Sequence, residues 1–170
     1  IRWIRGSTVH KAWIKWGGVL HELGLSPHQD HKLSIKLEID TSPPAGAVCE
    51  RQIVTRHRLL ALQLYDLPSM MAGKAHAILT RGYPKGRDWY DLVWYRGRRP
   101  PVEPNLVLLQ NALDQTQGAG VYDAHQWKTL VCDRLGAIDA ERLAADAAPF
   151  LEDAAEVSLA TTENLRDSLR

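Results

Sequence analysis

Residues 32–41 alternate so regularly that they specify a β-strand. Leu33, Ile35, Leu37 and Ile39 fall on one face, and Lys36, Glu38 and Asp40 on the other. Ser42-Pro-Pro-Ala-Gly46 then forces a turn. A strand patterned this way belongs in a sheet that is apolar on one side. Its three charged side chains are costly unless they meet water or a metal-filled cleft. The same pattern also describes an ordinary amphipathic strand with a solvated outer face.

Further strands are expected at Val9–Trp16, which is β-branched and aromatic and stops at Gly17-Gly18, and at about Glu50–His57 and Leu59–Tyr65. The last two should be neighbours in an antiparallel or mixed sheet. A short helix is expected over Val19–Leu25. From Asp66 onward the chain reads as helical, with Asp66 or Ser69 available to cap the first helix. That helix should run to about Arg81, where Gly82-Tyr-Pro84 breaks it. A second is expected from Lys85 to about Gly97 and a third from Asn105 to about Gln115. Others follow near Asp123–Leu135, Ala140–Asp146 and Ala148–Leu159. The fold class is mixed α/β: an incomplete, twisted, mixed sheet of about four strands, two packed helices and a helical C-terminal tail. Residues 1–100 are read as the core and 101–170 as a helical C-terminal region.

At 170 residues the chain can bury a real core. Its net charge of +1 favours no class of partner. Cys49 and Cys132 lie far apart with no C-x-x-C pair, which argues against a disulfide framework or zinc and fits a cytoplasmic protein. No apolar run approaches the ~18–20 residues of a membrane span, so no membrane role is expected. There is no H-E-x-x-H, G-x-S-x-G or Walker motif to suggest other chemistry. The chain starts at Ile1 rather than Met, and a truncated beginning is the simplest explanation.

Three places carry candidate chemistry. Glu38 and Asp40 offer carboxylates of the kind that hold Mg²⁺ against phosphate oxygens, with Lys36 beside them. Lys74 and Arg81 are seven residues apart, share a helix face and could grip a triphosphate tail, or could be two basic residues snorkelling over an apolar stripe. Gly73 is a poor interior helix residue, at a cost of about 0.8–1 kcal/mol against Ala, which suggests close approach of another backbone or a ligand. Asp88 and Asp91 sit in the first turn of the next helix, where the macrodipole alone would favour them. They could also hold Lys74 or Arg81 in position, or orient a metal-bound water. Trp89, Val93 and Trp94 give that helix a large apolar surface for docking. Between residues 81 and 99 six basic side chains (Arg81, Lys85, Arg87, Arg96, Arg98 and Arg99) face only Asp88 and Asp91, a stretch suited to anions or to a solvated face.

The order and spacing of these places resemble the AbiEii/AbiGii-type toxins of the nucleotidyltransferase superfamily. The resemblance lies in Ile35–Pro44 (IKLEIDTSPP), Asp66–Ala77 (DLPSMMAGKAHA) and Lys85–Trp94 (KGRDWYDLVW), and more loosely in Phe150–Asp153 (FLED). It implies a protein that moves a nucleotide from a magnesium-bound nucleoside triphosphate to an acceptor, of which tRNA or another RNA is one class, with a cognate antitoxin as a partner. It further implies that Glu38, with Asp40 beside it, contributes to the metal site, that Lys74 contacts the phosphates, that Arg87 and Asp88 match the family's Arg-Asp pair, and that Asp91 matches the second acid of that helix. On this reading Glu38, Lys74 and Asp88 carry catalysis, and Lys36, Lys74, Arg81 and Arg87 bind nucleotide.

The chain also departs from that pattern. The family begins with a Gly-Gly or Gly-Ser turn followed by a D-x-D pair, the principal metal ligands. Gly6-Ser7-Thr8 imitates the turn, but no D-x-D follows: the next acids are Glu22, alone, and Asp30 in a loop. The metal ligands are therefore expected before Ile1 or lost, and this stretch by itself is expected not to catalyse transfer. The competing expectation is a non-catalytic remnant that binds nucleotide, RNA or a protein partner through residues 81–99 and nearby aromatics.

Overall fold

The computed structural model describes residues 2–4, 8–55, 57–151, 153, 156 and 161–170. They divide into two compact units, residues 1–43 and 44–170. The chain is mixed α/β, as its pattern predicts. The Gly6-Ser7 pair lies outside the described residues.

The first unit is a three-stranded antiparallel sheet in the order β1 (Arg2–Ile4), β2 (Val9–Trp16), β3 (Leu33–Asp40), with a one-turn helix α1 (Val19–Glu22) between the last two strands. The register sets Ala12 opposite Leu37 and Ile14 opposite Ile35 on one face, and Lys11 opposite Glu38 and Trp13 opposite Lys36 on the other. The loop before β3 closes on Ser26, whose hydroxyl lies 2.9 Å from His31 Nδ1 and accepts the His28 N–H. Burial does not separate the two faces of β3 as its alternation predicts. Leu33, Ile35, Leu37 and Ile39 keep 38–48% of their surface accessible. A sheet buries a face only where a second layer lies on it, and sequence alternation records the face rather than its cover.

The second unit opens with a hairpin, β4 (Cys49–Val54) and β5 (Leu60–Tyr65), whose short link dictates antiparallel pairing. The described strands thus form two antiparallel sheets, where one mixed sheet is expected from the sequence. Helices follow: α2 (Leu67–Thr80), α3 (Gly86–Arg96), α4 (Leu106–Gln117), a 3-10 turn (Ala124–Gln126) running into α5 (Trp127–Gly136), and α6 (Ala140–Ala147). Where a helix is expected over 148–159, the described residues open with a 3-10 turn, Ala148–Phe150. Pro149 offers no N–H to extend α6, and Leu151 is already extended. Residues 152, 154, 155 and 157–160 of that expectation lie outside the described residues. An unforeseen helix, α7 (Thr162–Leu169), is capped by Thr161 and buries Leu165 and Leu169, one turn apart.

One core joins these helices. Met71, Ala75 and Ile78 of α2 meet Trp89, Leu92 and Tyr95 of α3, Leu109 and Leu113 of α4, Val131 and Leu135 of α5, Leu143 of α6 and Leu165 of α7. It draws on residues from both sides of residue 100. Trp94 does not dock with Trp89. It stays 43% exposed, because the core side of α3 is set by Trp89, Leu92 and Tyr95.

Polar contacts fix the helix ends. Asp66 Oδ1 accepts the Ser69 N–H at 2.8 Å and caps α2. Ser69 is buried and accepts instead from the Val48 N–H (3.0 Å) and from Asn105 Nδ2 (3.2 Å). Asn105 also caps α4 and donates to the carbonyl of Gly46. At α3, the Gly86 N–H donates to Asp146 Oδ2 of α6 at 2.6 Å. A Cβ at Gly86 would stand 1.9 Å from the Leu143 carbonyl oxygen, so glycine is what lets α3 and α6 approach this closely.

Candidate functional site

The strongest concentration of charge lies between α2 and α3. Lys74 is near the middle of α2, and its Nζ reaches two carboxylates in the first half of α3: Asp88 Oδ1 at 3.2 Å and Asp91 Oδ2 at 2.5 Å. Arg81, the residue that ends α2 two turns after Lys74, donates to the other Asp88 oxygen. Asp88 is 3% exposed. A carboxylate buried that deeply must be compensated, and here both its oxygens are engaged by cations. The seven-residue spacing of Lys74 and Arg81 around buried Ile78 is what brings both to one acid. Asp88 therefore does more than sit in a first turn. Its N-terminal neighbour Gly86 is capped from outside the helix by Asp146.

Electrostatics favour a charged Lys74. Burial of the ammonium works against charge, but hydrogen bonds and Coulomb attraction from Asp91 and Asp88 outweigh it and raise the Lys74 pKa. The cluster holds two cations and two anions. Its formal charge is balanced, and an arriving phosphate would have to take up part of the Lys74 coordination from Asp91, the more exposed of the two acids.

The remaining basic residues of the 81–99 stretch do not form one patch. Arg96 is turned inward: it donates to the carbonyls of Ser168 (2.8 Å) and Val102 (3.3 Å), pairs with Glu103 and lies over the Trp127 ring. It is a structural pin, not an anion ligand. Lys85 lies over Tyr83, Arg87 over Phe150 at 5.3 Å and Arg98 over Trp94 at 4.2 Å. Arg87 thus shows no contact with the Lys74–Asp88 cluster. The close approach expected at Gly73 is not made by the protein itself, since a Cβ there would meet no atom within 4 Å.

In the first unit, Glu38 accepts from Lys36 Nζ at 2.7 Å, and Lys11 stands 3.5 Å away across the strand pair. The Lys36 hydrogen bond is the main influence holding the Glu38 carboxyl below the ordinary carboxylate range. Lys36 also lies 5.8 Å over the Trp13 ring. Asp40 accepts the Ser42 N–H at 3.0 Å, closing the turn. Among the described residues no three His, Cys, Asp or Glu side chains gather into a metal-holding cluster. Glu38 and Asp40 are hard oxygen donors on one strand face, and magnesium takes one or two carboxylates with substrate oxygens and water for the rest. Their chemistry fits part of such a site, with Lys36 and Lys11 both at one Glu38 oxygen, Oε1.

Several positioning residues escape a sequence reading. Arg134 of α5 donates to the Arg81 carbonyl at 2.5 Å and so stabilises the C-terminal end of α2. Tyr90 donates to Glu156, which pushes its phenol up to about 12. Asp146 caps α3. Each contact spans more than 50 residues of sequence, and no local pattern records it.

A family model described as nucleotidyl transferase AbiEii toxin, type IV toxin–antitoxin system, matches residues 15–167. No curated protein and no solved structure matches the chain. No helix among the described residues is long and apolar enough to cross a membrane.

Proposed function

The chain belongs to the AbiEii family of nucleotidyl transferase toxins, and on that premise we propose that Lys74 is the group that meets the phosphates of a nucleoside triphosphate during transfer of a nucleotide to an acceptor, tRNA or another RNA. The observation that supports this reading is the clamp on Lys74. Its ammonium is partly exposed, held charged, and fixed in place by a buried acid that Arg81 also engages.

In nucleotidyl transfer an acceptor hydroxyl attacks the α-phosphorus, a new P–O bond forms, and the bond to the departing diphosphate breaks. Negative charge grows on the phosphate oxygens, and a preorganised ammonium stabilises it at little reorganisation cost. Asp88 is the positioning acid: it holds Lys74 and Arg81 in one arrangement. Asp91 is the exchangeable partner that yields to phosphate. Arg81 and Arg87 are the candidates for the triphosphate tail or the acceptor backbone, and Lys36 for a further phosphate contact. Within the first unit, Glu38 and Asp40 are the proposed ligands of a magnesium ion, which would supply charge neutralisation to a phosphate bound there. The cognate antitoxin of the type IV system is the proposed protein-level partner.

The test uses the full chain as its gene encodes it, with labelled nucleoside triphosphate, magnesium and tRNA. Label transfer is expected, and Lys74→Ala should abolish it while leaving the circular dichroism spectrum and melting temperature close to those of the parent. Transfer that persists in Lys74→Ala would remove Lys74 from the site. Nucleotide or RNA binding without any turnover or magnesium dependence would favour the non-catalytic reading instead.

A further inference from the structure

Beside the Lys74 clamp, Tyr90, Asp91, Trp94 and Tyr95 of α3, with Phe150, Leu151 and Glu156, line an open cleft of about 490 Å³. That volume falls within the ~300–1,000 Å³ of small-molecule sites. Four of these walls are aromatic, and Trp94 and Phe150 remain exposed. Exposed aromatic faces at a cleft can stack a flat π-system. The two polar walls are carboxylates. They repel phosphate and call for N–H donors. Among the described residues the Glu156 side chain accepts from Tyr90, and a carboxylate has about four lone-pair sites, so it has further acceptor capacity.

We propose that this cleft receives a nucleobase, stacked against Trp94 and its aromatic neighbours with an N–H edge turned to Glu156. The inference rests on the nucleotide reading above and extends it. Asp91 joins the two places: it lines the cleft and at the same time holds Lys74 at 2.5 Å. A base in the cleft therefore lies beside the ammonium proposed for phosphate. Arg98 over Trp94 and Arg87 over Phe150 pair two of the aromatic walls with guanidinium groups, as on stacking platforms for single-stranded nucleic acid. Bases with an exocyclic amine suit Glu156, while uracil sets a carbonyl on each side of its one ring N–H and suits it poorly. The base can come from the nucleoside triphosphate or from the end of an acceptor RNA.

Calorimetric titration of the full chain decides between these outcomes. The probes are cytidine and uridine triphosphates, inorganic tripolyphosphate, and a short single-stranded RNA that carries a 3′-hydroxyl and no triphosphate. Trp94→Ala should weaken a base-bearing probe about ten-fold or more, the size of one lost base stack, and leave tripolyphosphate unchanged. Trp94→Phe should restore most of that loss. Glu156→Gln should reduce the preference for cytidine over uridine triphosphate. A loss confined to the triphosphates assigns the cleft to the donor base, and a loss confined to the RNA assigns it to the acceptor base. Lys74→Ala tests the phosphate reading separately through tripolyphosphate, and its failure there leaves the Trp94 result interpretable. If Trp94→Ala and Glu156→Gln keep every base-bearing probe within two-fold of the parent, or if Trp94→Ala weakens tripolyphosphate equally, the cleft is not a base site.

Discussion

Asp88 of α3 accepts a hydrogen bond from Lys74 of α2 at 3.2 Å, from a position that is almost wholly buried. A buried carboxylate engaged by two cations fixes the distance and rotation between the helices that carry them. It also makes the acid the member of the cluster whose removal the structure tolerates least, because Arg81 and Lys74 would both lose a charged acceptor.

Asp88→Asn should therefore lower unfolding free energy by about 1.5–3 kcal/mol, the range for hydrogen bonds to charged groups. Nucleotide transfer should fall further than the lost stability explains, since Lys74 is then held by Asp91 alone. Urea denaturation alongside a transfer assay at a temperature where the variant is folded checks both. An unchanged urea midpoint would contradict the buried pairing.

Lys74 has a raised pKa in the folded chain, so its charge stabilises the fold wherever the unfolded lysine is also protonated, below about 10.4. That contribution disappears as pH rises through the higher folded value. The stability difference between the parent and Lys74→Met should then be flat from pH 7 to 9 and shrink only in strongly alkaline solution. Denaturation midpoints measured across that range test it; a difference that already shrinks near pH 8 would mean the lysine is not held charged.

His76 behaves in the opposite sense. Burial is the main cause of its lowered pKa, opposed by a backbone hydrogen bond at Ala112 and reinforced by the Arg81 charge. Its neutral ring meets Thr116 of α4 at 2.9 Å. The folded protein binds this proton less tightly than the unfolded chain, so the stability present above the ordinary histidine value of about 6.5 declines as pH falls below it. His76→Gln should remove that component of the acid dependence. Identical pH profiles for parent and variant between pH 7 and 5 would show that His76 does not cause it.

Two glycines one helix apart should respond oppositely to the same substitution. Gly73 faces open space within α2, so Gly73→Ala should raise stability by about 0.8–1 kcal/mol. Should it also depress nucleotide binding, a ligand approaches α2 at that point. Gly86→Ala must drive a methyl group into the Leu143 carbonyl and push α3 from α6, at a cost of about 1–3 kcal/mol or more. Thermal melts of both variants suffice, and a neutral Gly86→Ala would refute the close helix contact.

Local elements were readable from residue pattern because their signals are local. The alternation over residues 33–40, the Asp66 cap of α2 and the Gly82-Tyr-Pro84 break each act within one turn or one strand, and the structure has β3, α2 and α3 at those places. The pairing of Lys74 and Arg81 on one helix face follows from the helical repeat alone. The inward turn of Arg96 was not readable, because its acceptors on Ser168 and Val102 come from separate parts of the chain. Nor was the exposure of Trp94, which depends on which side of α3 the other helices cover. Sequence shows that a residue is aromatic or basic, and only packing decides which way it faces.

The sequence by itself determined β2 to β5, α1 to α6, the family, and the residue types available for phosphate chemistry. Tertiary structure alone decided that Asp88 is buried and doubly paired, that the basic stretch separates into a pinned Arg96 and guanidinium–aromatic pairs, and that Glu156 closes a cleft beside Asp91. The physical reason is range. Helical repeat and capping act over three or four residues, whereas burial and the cost of an uncompensated charge depend on neighbours that only folding brings within a few ångströms.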